Sequence, residues 1–154
     1  MTTSIQSHID IKITTTVHPY IANLKRIMSM FERIESNLQD SLNFYQKIEN
    51  LLEERLHNVD ERSKEMQDLL KDREERLRIY TLNKNKHEMA SINSETIKIK
   101  IQMKFLESQR DSASRELQKT QHTITDLTKQ IFYNNRQMEG IKQQMRQYIL
   151  VRRL

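Results

Sequence analysis

Five histidines, His8, His18, His57, His87 and His122, are the side chains best suited to metal binding or proton transfer, and their spacing supplies neither. No two stand at i, i+4, and the chain has no cysteine, so neither a thiolate metal site nor a disulfide framework has ligands to draw on. Serine and histidine both occur. A nucleophile elbow or a phosphate-cradling loop needs several glycines in tight turns, however, and this chain has one, Gly140. The neighbouring carboxylates Glu53/Glu54 and Glu74/Glu75 sit among arginines in segments that read as helix surface, with no concave pocket to set them to acid–base work. The residue types point away from an enzyme, a metal protein or a cofactor binder, and towards a chain that works through its surfaces.

The composition says what elements carry those surfaces. Of 154 residues, 36% are apolar and 31% charged, with one proline, Pro19. An ordinary globular domain is roughly 45–50% apolar and reverses direction at turns rich in Gly and Pro. A polar chain nearly without either is the profile of long exposed helices, and disorder is the competing profile. No stretch approaches the ~18 apolar residues of a membrane span, and the N-terminus lacks the basic patch and apolar core of a secretory signal. Both absences imply an intracellular protein, cytoplasmic or nuclear.

Regular apolar spacing decides for helix. Residues 1–18 hold five threonines and two serines, and Ile9, Ile11 and Ile13 alternate with Asp10 and Lys12, so they read as a disordered or extended tail. Pro19 suits a helix start, where its missing N–H costs nothing. From there to residue 80 a heptad runs through Leu24, Phe31, Leu38, Tyr45, Leu52, Val59, Met66, Arg73 and Tyr80. Three residues further on it runs through Ile27, Ile34, Ser41, Ile48, Arg55, Arg62, Leu69 and Arg76. The misses in the second set are covered next door by Leu42, Leu56, Leu70 and Leu77, which widens the stripe beyond a two-stranded seam.

The rhythm breaks over residues 81–87, where Asn83 and Asn85 favour turns, and resumes out of phase over 88–150. The second register takes Met89, Thr96, Met103, Arg110, Leu117, Ile124, Ile131, Met138 and Met145, with Ile92, Ile99, Leu106, Ala113, Thr120, Leu127, Asn134, Ile141 and Tyr148. The arms are nearly equal, about 60 residues or roughly 90 Å each at 1.5 Å per residue. Their charges differ. Residues 20–82 hold 11 Lys and Arg against 13 Asp and Glu, whereas residues 83–154 hold 14 against 7. The fold class is therefore all-α, an elongated coiled coil of two long segments, 19–80 and 88–150. It is either a kinked rod or an antiparallel hairpin. The phase slip and opposite charge bias favour the hairpin. The want of Gly or Pro at the break favours the rod, and the balance falls slightly to the rod because a long helix needs a reason to turn back.

These stripes need helices to cover them, and the chain reads as a scaffold subunit of a multi-protein coiled-coil assembly. Arginines at seam positions are expected to snorkel to water or meet a partner's carboxylate. The flanks of the second seam are rich in glutamine, and only Glu95 with Lys100 forms a favourable parallel pair, so self-pairing is left unspecified and a hetero-oligomer is favoured over a homodimer. The last 19 residues carry Arg136, Lys142, Arg146, Arg152 and Arg153 against Glu139, with residues 151–154 as a basic end. They end a helix favourably, and they also suit an acidic membrane surface or, through the basic half as a whole, nucleic acid.

Overall fold

With so few residues able to interrupt it, the backbone stays helical almost throughout. In the computed structural model, α1 spans Thr2–Leu82 and α2 spans Lys86–Arg153, and no strand occurs among the described residues. The structure describes the backbone of residues 2–153 and the side chains of residues 19–151. Pro19 lies inside α1 rather than opening it, where its missing N–H leaves one gap in the hydrogen-bond ladder. The backbone of residues 2–18 is helical within α1, where the sequence reads as a disordered or extended tail, and the side chains of Ile9, Ile11 and Ile13 lie outside those described.

The two helices pack against each other as an all-α hairpin, which overturns the lean towards a kinked rod. The reason to turn back is a tight three-residue connection, Asn83–Lys84–Asn85. The N–H of Asn85 donates to the carbonyl of Tyr80 at 3.1 Å and the N–H of Lys84 to that of Thr81 at 3.3 Å. These two bonds form a Schellman motif, which normally places glycine in the left-handed position. Here Lys84 occupies it with φ 54°. Asn85 then begins α2: its Oδ1 accepts the N–H of Glu88 at 3.4 Å and its carbonyl accepts the N–H of Met89 at 3.1 Å, the geometry of an N-cap with glutamate at the third helical position. A helix stop and a helix start thus share adjacent residues without Gly or Pro.

Packing divides the chain into two units. One contains the turn and covers Tyr45–Thr123; the other joins Met1–Phe44 to Ile124–Leu154. Within each, α1 and α2 run antiparallel. In the turn-containing unit the centre of the seam is Leu52, Val59, Ile92, Ile99, Leu106 and Ala113, all buried. In the other it is Leu24, Ile131, Met138 and Ile141, with Tyr20 and Tyr148 in ring contact at 4.3 Å between centroids.

The α2 register is the one the spacing predicts: every expected site from Met89 to Tyr148 except Arg110 is buried or half-buried. The α1 register is corrected. Beyond Leu52 its seam steps through Leu56, Val59, Ser63, Met66, Leu70, Arg73, Leu77 and Tyr80, while Arg55, Arg62, Leu69 and Arg76 are exposed. The residues four on, Leu56, Ser63, Leu70 and Leu77, complete the heptads in place of Arg55, Arg62, Leu69 and Arg76 three on. In three of the four the choice leaves an arginine in water, because a buried guanidinium must shed its hydration whereas a buried leucine contributes about 1.5–3 kcal/mol. Near the chain ends the α1 stripe is broader. Ile27 and Met28 are both half-buried, as are Ser41 and Leu42, while Ile34 stands exposed.

The turn can be tested by opposite substitutions. Lys84→Gly removes the left-handed penalty and raises unfolding free energy by up to about 1 kcal/mol. Asn85→Ala removes the cap and lowers it by about 1 kcal/mol. Urea unfolding followed by circular dichroism reads both, and a loss of stability in the glycine variant would contradict the assigned geometry.

Candidate functional site

Most polar groups inside the seams are satisfied within the chain, the Nε of Arg73 excepted. The hydroxyl of Thr96 donates to the carbonyl of Ile92 at 2.9 Å, and that of Thr120 to the carbonyl of Glu116 at 2.8 Å. Such back-bonding lets a threonine sit in a seam without an external acceptor. Asn134, 4% exposed, donates through Nδ2 to the carbonyl of Phe31 at 3.0 Å across the helix pair and lies 3.7 Å from the sulfur of Met138. Arg73 is the one arginine that keeps a seam position. Its Nη1 donates to Asp72 at 2.7 Å, and its Nε lies 2.5 Å from Glu95 on α2. The Glu95 contact is off the N–H direction, so it is a charge contact rather than a directed bond, and Nε has no aligned acceptor. The exposed Arg110 approaches Asp60 at 3.9 Å. Thr96, Thr120 and Asn134 are thus bonded within the chain, Arg73 has charge contacts on both helices, and Arg55, Arg62, Arg76 and Arg110 are exposed.

The same holds for most of the apolar residues assigned to a partner helix. Ile27, Phe31, Leu38, Tyr45, Ile48 and Met66 of α1 are half-buried, as are Met89, Met103, Leu117, Ile124, Leu127, Met145 and Tyr148 of α2. Only Ile34 and Leu69 of that set are exposed. The helix that covers them here is the chain's own other arm.

Among the described residues, no group of three or more His, Asp or Glu is placed to hold a metal ion. His57 meets Glu61 at 3.1 Å on an open helix face, and the openings between the helices are shallow and mixed in lining. At the basic end, Arg136 lies 5.9 Å from the ring centre of Phe132 and Lys142 lies 3.4 Å from Glu139. Arg146 is exposed, and the side chains of Arg152 and Arg153 are outside the described residues. Gly140 has open space where a Cβ would stand, so no close helix contact requires it.

What remains for function is apolar surface outside the seams. In the unit that holds both chain ends, Phe31, Ile34, Leu38 and Tyr133 line an open, mostly apolar groove beside Lys129 and Asn134. Phe132, Leu150 and Val151 are also exposed there. In the turn-containing unit, α2 exposes Ile97, Ile101 and Phe105, and α1 exposes Leu51, Leu69 and Ile79. The heptads take Phe31, Ile34, Leu38 and Leu69 as seam sites and pass over the others, Leu51, Ile79, Ile97, Ile101, Phe105, Phe132, Tyr133, Leu150 and Val151, because a heptad follows one stripe per helix. Their signal is a second apolar row, out of phase with the first. No helix among the described residues is long and apolar enough to cross a membrane. Compared with known protein families, curated proteins and solved structures, the chain matches none.

The cross-helix bond from Asn134 defines a test. Asn134→Ala leaves a small void and loses the bond, lowering stability by about 1–3 kcal/mol. Asn134→Leu restores apolar contact and holds the melting temperature, but it widens the distance distribution between spin labels on the two helices of that unit, because a buried asparagine sets alignment. Equal, narrow distributions in wild type and Asn134→Leu would show that Asn134 has no part in alignment.

Proposed function

We propose that this chain is a non-enzymatic structural subunit that adds its hairpin to helices of other polypeptides. The observation that carries the reading is the open groove of Phe31, Ile34, Leu38 and Tyr133, left after the hairpin has closed its own seam. Full burial of a side chain of this size contributes about 1.5–3 kcal/mol, so a partner that covers the groove gains from each. A helix suits the groove because it runs alongside two helices and brings a backbone already hydrogen-bonded. On this reading the seam residues build the subunit and the residues outside it recruit, making a hetero-oligomeric bundle of three or four helices. An intracellular site of action belongs to the same proposal and fits a chain without cysteine. Membrane or nucleic-acid contact through the basic end has weaker support, since Arg136 and Lys142 already have partners on their own helix.

Cross-linking mass spectrometry of the protein purified from its native cells tests the reading. Links from Lys129, at the rim of the groove, to helical segments of an identified second polypeptide are the expected result. Purification as a single chain with intrachain links alone would exclude the subunit role.

A further inference from the structure

Two residues along an α-helix turn it by about 200°, so side chains two apart point to nearly opposite sides. In α2, Ile99, Met103 and Leu106 face the seam and are buried or half-buried. Ile97, Ile101 and Phe105, each stepping two residues from Ile99 or Met103, face away and are 60%, 63% and 63% exposed. They stand at i, i+4 and i+8, which makes them one continuous i±4 ridge, the kind that interdigitates with another helix. This stretch of α2 is therefore apolar on two opposed faces, and the hairpin covers one.

The charges around the ridge indicate what covers the other. From Thr96 to Leu106 the helix carries Lys98, Lys100 and Lys104 and no carboxylate. All three lysines are exposed, and among the described residues none pairs with an acid. Glu95 and Glu107 bracket the stretch, and Glu95 is engaged by Arg73. A row of three apolar side chains flanked on both sides by unpaired ammonium groups complements an apolar stripe edged with Asp and Glu.

We propose that Ile97, Ile101 and Phe105, with Lys98, Lys100 and Lys104, form a docking surface for an acidic amphipathic helix of another polypeptide. The proposal rests on the reading of the chain as a helix-binding subunit and assigns it a second surface, separate from the groove. A second copy is the poorer occupant. Ridge against ridge would oppose lysine to lysine. The exposed surface of α1 in the turn-containing unit sets Glu54, Glu61, Asp68 and Glu75 at seven-residue spacing, but its exposed large apolar residues, Leu51, Leu69 and Ile79, stand 18 and 10 residues apart and form no ridge to match one of four-residue steps. An anionic lipid surface would meet the same charges, but the opposite face of α2 is held in the seam and only two turns carry the ridge, whereas interfacial helices sink a long apolar face.

The test uses the full chain and two labelled synthetic helical peptides that share one leucine stripe, edged with glutamate in one and with lysine in the other. Fluorescence anisotropy should give at least tenfold tighter binding of the glutamate-edged peptide, weakening as salt rises. Ile101→Glu should weaken it at least tenfold, and Lys100→Glu with Lys104→Glu should reverse the preference, while circular dichroism shows the helices intact. Equal binding of the two peptides, or none, would overturn the proposal. So would a dimer in sedimentation that Ile101→Glu converts to monomer. Flotation of the chain on phosphatidylserine vesicles, lost with Ile101→Glu while peptide binding persists, would assign the ridge to lipid instead. Where the peptides fail to discriminate, links from Lys129 to a second polypeptide would still leave the subunit role standing, so failure of the ridge and failure of that role are told apart.

Discussion

Everything else in the molecule depends on Lys84 holding a left-handed backbone. A side chain there costs roughly 1–2 kcal/mol relative to the right-handed region, and glycine, which would avoid the cost, is absent from the turn. The conformation persists because the surrounding bonds over-determine it. Two bonds close the end of α1, and Asn85 caps α2 in the next step. Behind the turn, each heptad of α1 finds one of α2 to cover it. Either seam alone would be an apolar stripe in water; folded back, each is the other's solvent shield. The packing gained over many heptads outweighs a single strained residue.

Closing the seam within the chain changes what the polar seam residues mean. Thr96 and Thr120 turn their hydroxyls to their own backbone, Asn134 reaches the carbonyl of Phe31, and Arg73 sits between Asp72 and Glu95. An unsatisfied polar group in such a place would cost about 1–3 kcal/mol and would call for a second chain. Here the threonines and Asn134 have bonds within the chain, while Arg73 keeps its charge contacts and leaves its Nε–H without an aligned acceptor. On the proposed reading folding and assembly are separate: the seam closes the hairpin, and recruitment falls to surface residues that contribute little to its stability.

The fold was readable to the extent that heptads are. The α2 register follows from spacing, because steps of three and four run from Met89 to Tyr148, whereas the rival row of Ile97, Ile101 and Phe105 lasts only two turns. In α1 two choices competed beyond Leu52. A strict three-residue step lands on Arg55, Arg62, Leu69 and Arg76, and a four-residue step lands on Leu56, Ser63, Leu70 and Leu77. At three of the four, desolvation of a guanidinium decides between them, and counting positions does not weigh it. The turn was harder still. Asn83 and Asn85 marked its place, but the strained residue is the lysine between them, and nothing in lysine's own preferences points there. Only the pair of carbonyls at Tyr80 and Thr81, available once α1 ends, makes the position affordable. The groove lined by Ile34 and Tyr133 was hidden for a related reason: Ile34 fitted the expected seam, so nothing marked it as surface.

A helix with apolar residues on two opposed faces is a conflict in a chain that folds alone, since one face must stay in water. Over residues 96–106 the conflict is held in check by lysine. Three cations beside three large apolar side chains keep the ridge hydrated and set like charge against like charge when two copies meet. The same arrangement lets an acidic surface approach with its charges already matched. Surface apolar residues scattered singly need no explanation, but three on one ridge opposite the seam, each bordered by an unpaired lysine, form a pattern that hairpin stability does not require.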